Sequence, residues 1–503
     1  MRIVRPVSDF YVAARLMPAL FNGMAIAVSL MPVPVFIGLA GGIGPSWEGS
    51  TALAVGGALG LILGGLVLAP YLRMYGGYTI PDFLAERFGG DKVRPLAVVA
   101  VLLCSFPALA AALLALGLIA SSVFPVTLPL GVGAGVAMIF LCTLIGGMRS
   151  LSLAQIAQYT VALIVALTGL GVVLWQTGSI FSAEVLLLDE VIPKIGIQAF
   201  AHHGAANRVG LIFCVAAGTA ALPFLLMRSL TAISPAEARG SFLAALPFAG
   251  VLCLAAPAFA ALFEAAWVGA DDGLSMSAEA LLAVGAVAAL LASGSALALA
   301  IANALSYDFY YKTVQPRAST GRLLLVARLS VVLVAGLAAL AAVAEPQAML
   351  TATAAALSLA ASAFLPALVL GVWWKRATSD AALAGMTAGL LVCLYYMLAP
   401  EIIPFAFYES SSFLSNATEA QASAYEAMQQ GYYLAEGATK EAVLSDWEAT
   451  TRRIANWWGV RWPFAGLFAV PIGFLVMIGV SLLTRAPSED VQRFVEEMRA
   501  GAA

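Results

Sequence analysis

Long apolar runs broken by short charged stretches fill the chain from residue 16 to residue 484. A helix needs roughly 20 apolar residues to cross a bilayer. Matched to that length, the runs predict twelve helical spans, at about 16–43, 50–72, 96–124, 127–147, 153–178, 208–232, 240–264, 279–304, 323–344, 348–373, 379–399 and 463–484. Composition agrees: of 503 residues, 62% are hydrophobic and 11% charged. These values exclude a water-soluble enzyme and describe a polytopic membrane protein. The net charge of -3 offers no basic excess for nucleic acid.

Charge placement orients the spans. Of the 25 Lys and Arg residues, 19 fall on one side of the predicted topology, among them Arg2, Arg15, Arg73, Arg94, Arg149, Arg239, Lys312, Arg328, Arg376 and Arg493. The other side keeps Lys194, Arg208, Lys440, Arg452, Arg453 and Arg461. The positive-inside rule then places both termini in the cytoplasm. Residues 1–15 show no cleavable signal, so the first span is expected to stay in the mature protein. The segment 400–462 carries eight acidic residues, four basic ones and the pairs Tyr432-Tyr433 and Trp457-Trp458. It reads as an extracytoplasmic subdomain with short amphipathic helices at 426–430 and 440–456 and tryptophans at the interface, or else as a flexible insert. The tail SEDVQRFVEEMR reads as an amphipathic helix capped by Ser488.

Two five-span blocks, 16–178 and 208–372, are 163 and 165 residues long. Five is odd, so the second block enters the membrane from the opposite side, giving an inverted repeat. The resulting division is a terminus (1–15), a first repeat (16–178), a loop (179–207), a second repeat (208–373), an added helix (374–399), the long segment (400–462), a last helix (463–484) and a tail (485–503). The first helix of each block is interrupted, by Pro32 and Pro34 in SLMPVPVF and by Gly218 and Pro223 in AGTAALPF. Proline frees backbone groups, which are tolerated at membrane depth where they line a cavity or meet a ligand. Matching interruptions in two equal blocks point to a solute and ion site between them.

No Asp, Glu, Lys, Arg or His falls near the middle of a predicted span. Proton relays and intramembrane hydrolases are therefore disfavoured, whereas sodium, a hard cation, accepts neutral oxygen ligands. The five cysteines (104, 142, 214, 253 and 393) sit in apolar runs without metal-ligand spacing and read as small core residues. His202 and His203 read as a solvated loop pair.

YTIPDFLAERF (78–88), GGMRSLSLAQIAQYTV (146–161), GTAALPFLLMRSLT (218–231) and IANALSYDFYYK (301–312) resemble the solute:sodium symporter family over nearly the whole chain. The segments at 356–378, 385–397 and 468–484 look most like a bacterial branch near the acetate permeases, one associated with a small two-helix membrane subunit. The resemblance implies an all-α, leucine-transporter-like 5+5 inverted repeat and sodium as coupling ion, with no other cofactor. Carried over residue by residue, it puts the sodium site on Val28, Met31, Ala289, Ala292 and Ser293. Only Ser293 brings a side-chain hydroxyl, because the family's other hydroxyl position is Ala292; Ser295 is a candidate substitute. An Asp-aromatic pair of the family is Ser29-Leu30 here, nearby small and hydroxyl positions are Pro32, Val33, Pro34 and Val35, and a His after the sixth-span proline is Phe224. The family's peripheral first helix has no counterpart, either because the start is truncated or because this branch dispenses with it, which leaves twelve spans.

These features predict a secondary transporter of the bacterial inner membrane, not an enzyme, moving a small organic solute such as a monocarboxylate. Ser29, Thr219 and freed backbone amides are the expected solute contacts, with Phe224 beside them. The alternative is a transporter-like scaffold or sensor whose sodium coupling is lost. At the cytoplasmic side, Asp82, Glu86 and Arg87 read as a solvated, locally paired loop helix, with inward gating as the second reading. Asp308 and Lys312 read as a helix-end pair, again with inward gating as the second reading, Gly146-Gly147 with Arg149 as a tight turn and anchor, and Arg228 as an interfacial anchor closing the sixth span, with a substrate clamp as the second reading. The Gly/Ala-rich spans 50–72 and 323–344 offer small-residue faces to a subunit or to the bundle itself.

Overall fold

The computed structural model describes residues 7–30, 47–89, 92–144, 146–177, 205–267 and 273–501, all in helices and their connections. After the short α1 (Val7–Val12) come α2 (Ala19–Leu30), α3 (Trp47–Leu63), a π-helical stretch (Gly64–Leu68), α4 (Ala69–Tyr75) and α5 (Ile80–Phe88). The first block closes with α6 (Val93–Val123), α7 (Leu128–Thr143) and α8 (Gly147–Thr177). The second contains α9 (Ala205–Ala221), α10 (Pro223–Thr231), α11 (Pro235–Trp267), α12 (Gly273–Asn303) with a π-helical extension (Ala304–Val314), α13 (Thr320–Ala344) and α14 (Pro346–Trp373). Eight described helices are long and apolar enough to cross a membrane, and the α9–α10 pair makes a ninth, bent by 41°. The shorter apolar helices α2 and α7 and the 33-residue α11 stand where the first, fourth and seventh spans are expected.

Helix contacts occur in reciprocal pairs. α2 packs on α11 and α8, while its counterpart α9 packs on α3 and α14; α6 packs on α14, and α12 on α8. α6 and α12 face each other at the centre. Such exchange is what an inverted two-fold repeat requires. α2 and the bent α9–α10 span run in opposite senses, since the Met17 amide just before α2 donates to the Thr231 carbonyl at the end of α10 (3.1 Å). Glycine permits one close approach here: a Cβ on Gly60 of α3 would come within 2.6 Å of the Ala216 carbonyl and of Thr219.

One end of the bundle holds α1, α5, the 304–314 extension and the last helix, α20 (Glu489–Ala500). Here basic side chains cap helix ends: Arg73 donates to the carbonyls of Ala232 and Ile233, Arg328 to Leu144, and Arg376 to Leu482. Gly147, at φ +55°, makes the tight turn into α8, and Arg149 pairs with Asp9 at 3.2 Å. α20 docks on the bundle, with Val495 and Met498 buried, Phe494 against Tyr75, and Arg499 over Trp373. Ser488 occupies its N-cap position, but its side chain makes no capping bond.

The opposite end carries the long segment, folded between α15 (Ser379–Ile402) and α19 (Gly466–Leu483). It contains α16 (Pro404–Ser411), α17 (Glu419–Leu434) and α18 (Ala438–Ile454). α17 is longer than the expected 426–430 helix because Thr418 and Gln421 form a full capping box. Trp447 is not an interfacial anchor: it is buried among Phe405, Tyr425 and Tyr432 in the segment's own aromatic core. Trp457 packs on Tyr396, Phe407 and Phe468, whereas Trp458 is exposed. Asn207, at the start of α9, ties the segment down: its amide donates to the Gly459 carbonyl and its oxygen accepts the Arg461 amide, both at 2.8 Å.

Candidate functional site

Val28 on α2 and Ala289 and Ala292 on α12, drawn from opposite halves of the chain, meet in one small buried cluster with Ala162, Ala166 and Tyr159 of α8. Ser293 is buried beside them, and its hydroxyl lies 3.4 Å from the Ala289 carbonyl and 3.3 Å from the Leu290 carbonyl. Four of the five expected sodium positions are thus brought together. Met31, with Pro32, Val33, Pro34 and Val35, lies outside the described residues, as do His202 and His203. The Ser295 hydroxyl is buried beside the Cys142 thiol. Among the described residues no group of three or more His, Cys, Asp or Glu comes together to hold a metal.

The expected solute residues diverge. Ser29 is in the site: its hydroxyl donates to the Ala25 carbonyl at 2.7 Å and accepts from Gln155 at 2.9 Å. Thr219 turns toward Gly60 of α3, so its apolar half is taken up in packing. Phe224 is buried in the large core cluster and not in the small cluster of Val28 and Ala292. The sixth span breaks at Leu222, and Pro223 leaves the Thr219 carbonyl without its usual helical donor.

Gln155 and Arg228 complete the site, and neither was among its expected members. The Gln155 side-chain nitrogen donates to Ser29 (2.9 Å) and to the Ala292 carbonyl (2.7 Å), joining α2 to α12. Arg228 in turn donates to the Gln155 side-chain oxygen and, at 2.7 Å, to the Ser152 hydroxyl. A guanidinium only donates, so it fixes which end of the Gln155 amide faces Ala292. Asn22 extends the network, donating to the Arg228 carbonyl (2.8 Å) and to Ser241 (3.2 Å). Arg228 is 1% exposed, which corrects its reading as an interfacial anchor. Gln155 lies eight residues into α8, about 12 Å from its start at 1.5 Å per residue, so the guanidinium reaches into the bundle. Although Arg228 lies near the end of its own span, its side chain carries a positive charge into an interior expected to be uncharged. One signal for this pair was in the sequence: Ser152, Gln155 and Tyr159 recur at helical spacing on one face of an otherwise apolar span.

A second polar cluster closes the end that carries the termini. Arg94 lies 2.9 Å from Asp82 and 2.8 Å from Asp308, and Thr79 donates to Asp308 at 2.6 Å. Lys312 approaches Asp82 at 3.9 Å, so the expected Asp308–Lys312 helix pair is replaced by contacts between helices. Tyr11 meets Ser306 at 2.9 Å within a ring of Tyr78 and Tyr307. Asp82 and Arg87 are buried, correcting the solvated loop helix; only Glu86 of the three is exposed. Arg87 caps the end of α14 through the carbonyls of Gly371, Trp374 and Ala377, and burial pushes its guanidinium down to about 10, still charged at neutral pH.

Residues 10–280 and 273–389 match the sodium:solute symporter family. The chain is 30% identical to an uncharacterized symporter of Cupriavidus necator, over 98% of this chain and 90% of that protein. It is 27% identical to an uncharacterized symporter of Bacillus subtilis, over 78% and 80% of the two. A sodium-coupled sialic acid symporter, solved substrate-bound and outward-open, shares the fold with a TM-score of 0.65 at 12% identity, covering 96% of this chain and 93% of that one. The packing, the convergent site and the family match lead to one statement: the chain belongs to the sodium:solute symporter family, whose members are multi-pass secondary active transporters.

Proposed function

We propose that the chain is a sodium-coupled symporter for a small monocarboxylate such as acetate, working by alternating access in a bacterial inner membrane with both termini cytoplasmic. The observation that carries this reading is the convergence of Val28, Ala289 and Ala292, with Ser293 beside them, next to Ser29 in the interior of the bundle. The Val28, Met31 and Ala289 carbonyls and the Ser293 hydroxyl would hold the ion. Ser29 and backbone groups freed at the helix breaks would meet the solute. Capping of one bundle end by basic residues supports the assigned sides. Repeats at 16–178 and 208–373 fit the reciprocal packing.

A second reading, a scaffold or sensor without sodium coupling, is favoured by one observation. Ala292 brings no hydroxyl, and the Gln155 amide already binds its carbonyl. Uptake of labelled acetate into proteoliposomes, with and without an inward sodium gradient, separates the two. Sodium-driven accumulation supports symport; no uptake, or uptake indifferent to sodium, supports the second. A small two-helix subunit is also proposed. The open surroundings of Gly57 and Gly336, where an added Cβ would meet nothing within 4 Å, suit a packed partner, and Gly57→Leu or Gly336→Leu should release it during purification in mild detergent.

A further inference from the structure

We infer that Arg228, held by an uncharged Gln155, sets the charge preference of the site and makes it select an anionic solute in the presence of sodium. This rests on the symporter reading above and adds to it the group that decides between a carboxylate and its neutral isostere.

Among the described residues the charges around the site do not balance. Arg228 is fully enclosed, and its side-chain acceptors, Gln155 and Ser152, are both neutral. Among the described residues no carboxylate lies within ion-pair distance of it. The acids at this end of the bundle are engaged elsewhere: Glu237 accepts the Ala19 amide at the start of α2, and Asp82 and Asp308 share Arg94. Val28, Ser29, Ala289, Ala292 and Ser293 contribute no charge. An isolated ion in a low-dielectric interior is costly, and such groups are usually paired. Sodium would bring a second positive charge to the same region. A monoanionic solute offsets it, whereas an uncharged solute of equal shape does not. Sodium and carboxylate should therefore bind together more tightly than either binds alone, a coupling that is reciprocal by linkage. Gln155 is the positioning residue. It holds the guanidinium on one side and touches Ser29 and the Ala292 carbonyl on the other, without neutralising the charge.

Gln155→Glu tests this, because it keeps the shape and the bond to Arg228 while supplying the missing negative charge. Purified protein is titrated with acetate, propionate and pyruvate, and with acetamide and propionamide, in sodium chloride or choline chloride, and affinity is read from the thermal-unfolding midpoint. In the wild type the acids should bind roughly tenfold or more tightly than the amides, and only in sodium; that is the scale of one unit charge at about 10 Å with an effective dielectric near 20. In Gln155→Glu the preference should collapse and sodium alone should stabilise the protein. Gln155→Leu controls for packing: it loses the hydrogen bonds but adds no charge, so it should weaken binding while keeping the preference for acids. Equal binding of acids and amides by the wild type, or an unchanged preference in Gln155→Glu, overturns the inference. A wild type that answers to neither acids nor amides in sodium rejects the monocarboxylate reading, and the inference with it.

Discussion

The Arg94 guanidinium lies 2.8 Å from the Asp308 carboxylate, 214 residues further along the chain, and binds Asp82 as well. The cluster joins α5, the start of α6 and the extension of α12, elements from both halves, at the end of the bundle that carries the termini. On the alternating-access reading proposed above, this end opens and the cluster separates in each cycle. Removing one partner of a buried pair leaves the other uncompensated, typically at about 3–5 kcal/mol. Asp308→Asn should therefore lower the thermal-unfolding midpoint and increase the labelling of a cysteine at Ser306. Unchanged stability and labelling would remove the cluster from the closed gate.

Ser293 is the hydroxyl at the expected ion position, and it donates to the Leu290 and Ala289 carbonyls of its own helix, at 3.3 and 3.4 Å. Ser293→Ala should weaken sodium activation of uptake by about 0.5–1.5 kcal/mol, up to roughly tenfold in half-saturating sodium. Ala292→Ser adds the absent hydroxyl and should shift activation the other way. Identical sodium titrations for both variants and the wild type would move the ion elsewhere.

How much of this was legible depended on whether the signal was local. The sixth-span break at Pro223 follows from proline chemistry and the meeting of Val28 with Ala289 and Ala292 from what the family resemblance implies, whereas α8 and α12 each begin six residues before the spans read from hydropathy, at 153 and 279. Arg228 and Asp82 were misplaced for one shared reason. Arg228 stands near the end of an apolar run, where hydropathy predicts an interface, and Asp82 in the connection between two runs, where it predicts solvent, but α1, α5 and the 304–314 extension cover that end with protein. Their burial is set by segments remote in sequence, which a window along one span does not sense. Trp447 was misread in the same way, since its partners Phe405, Tyr425 and Tyr432 come from three separate turns of the inserted segment.

Sidedness is open to chemical labelling. Ser411 is 8% exposed, whereas Phe413, two residues on, is 81% exposed and makes a better reporter for the inserted segment. A cysteine at Phe413 should react with a membrane-impermeant maleimide in intact cells, and one at Thr320 only after permeabilisation. The reverse pattern would invert the topology.

Asn207 fastens the inserted segment to the first residues of the sixth span through two bonds of 2.8 Å. Asn207→Ala leaves the Gly459 carbonyl and the Arg461 amide to find other partners, a cost of about 1–3 kcal/mol for buried groups. Tryptic cleavage at Arg452 and Arg453 should then quicken. Cleavage at the wild-type rate would show that the aromatic core holds the segment without this tie.

Coupling itself is tested most directly by reversing the roles of ion and solute. Proteoliposomes with equal sodium on both faces are given an inward acetate gradient, and entry of labelled sodium-22 is followed. The account predicts transient sodium accumulation above equilibrium, abolished when the acetate gradient is collapsed and reduced in Ser293→Ala. Acetate entry that moves no sodium would contradict it.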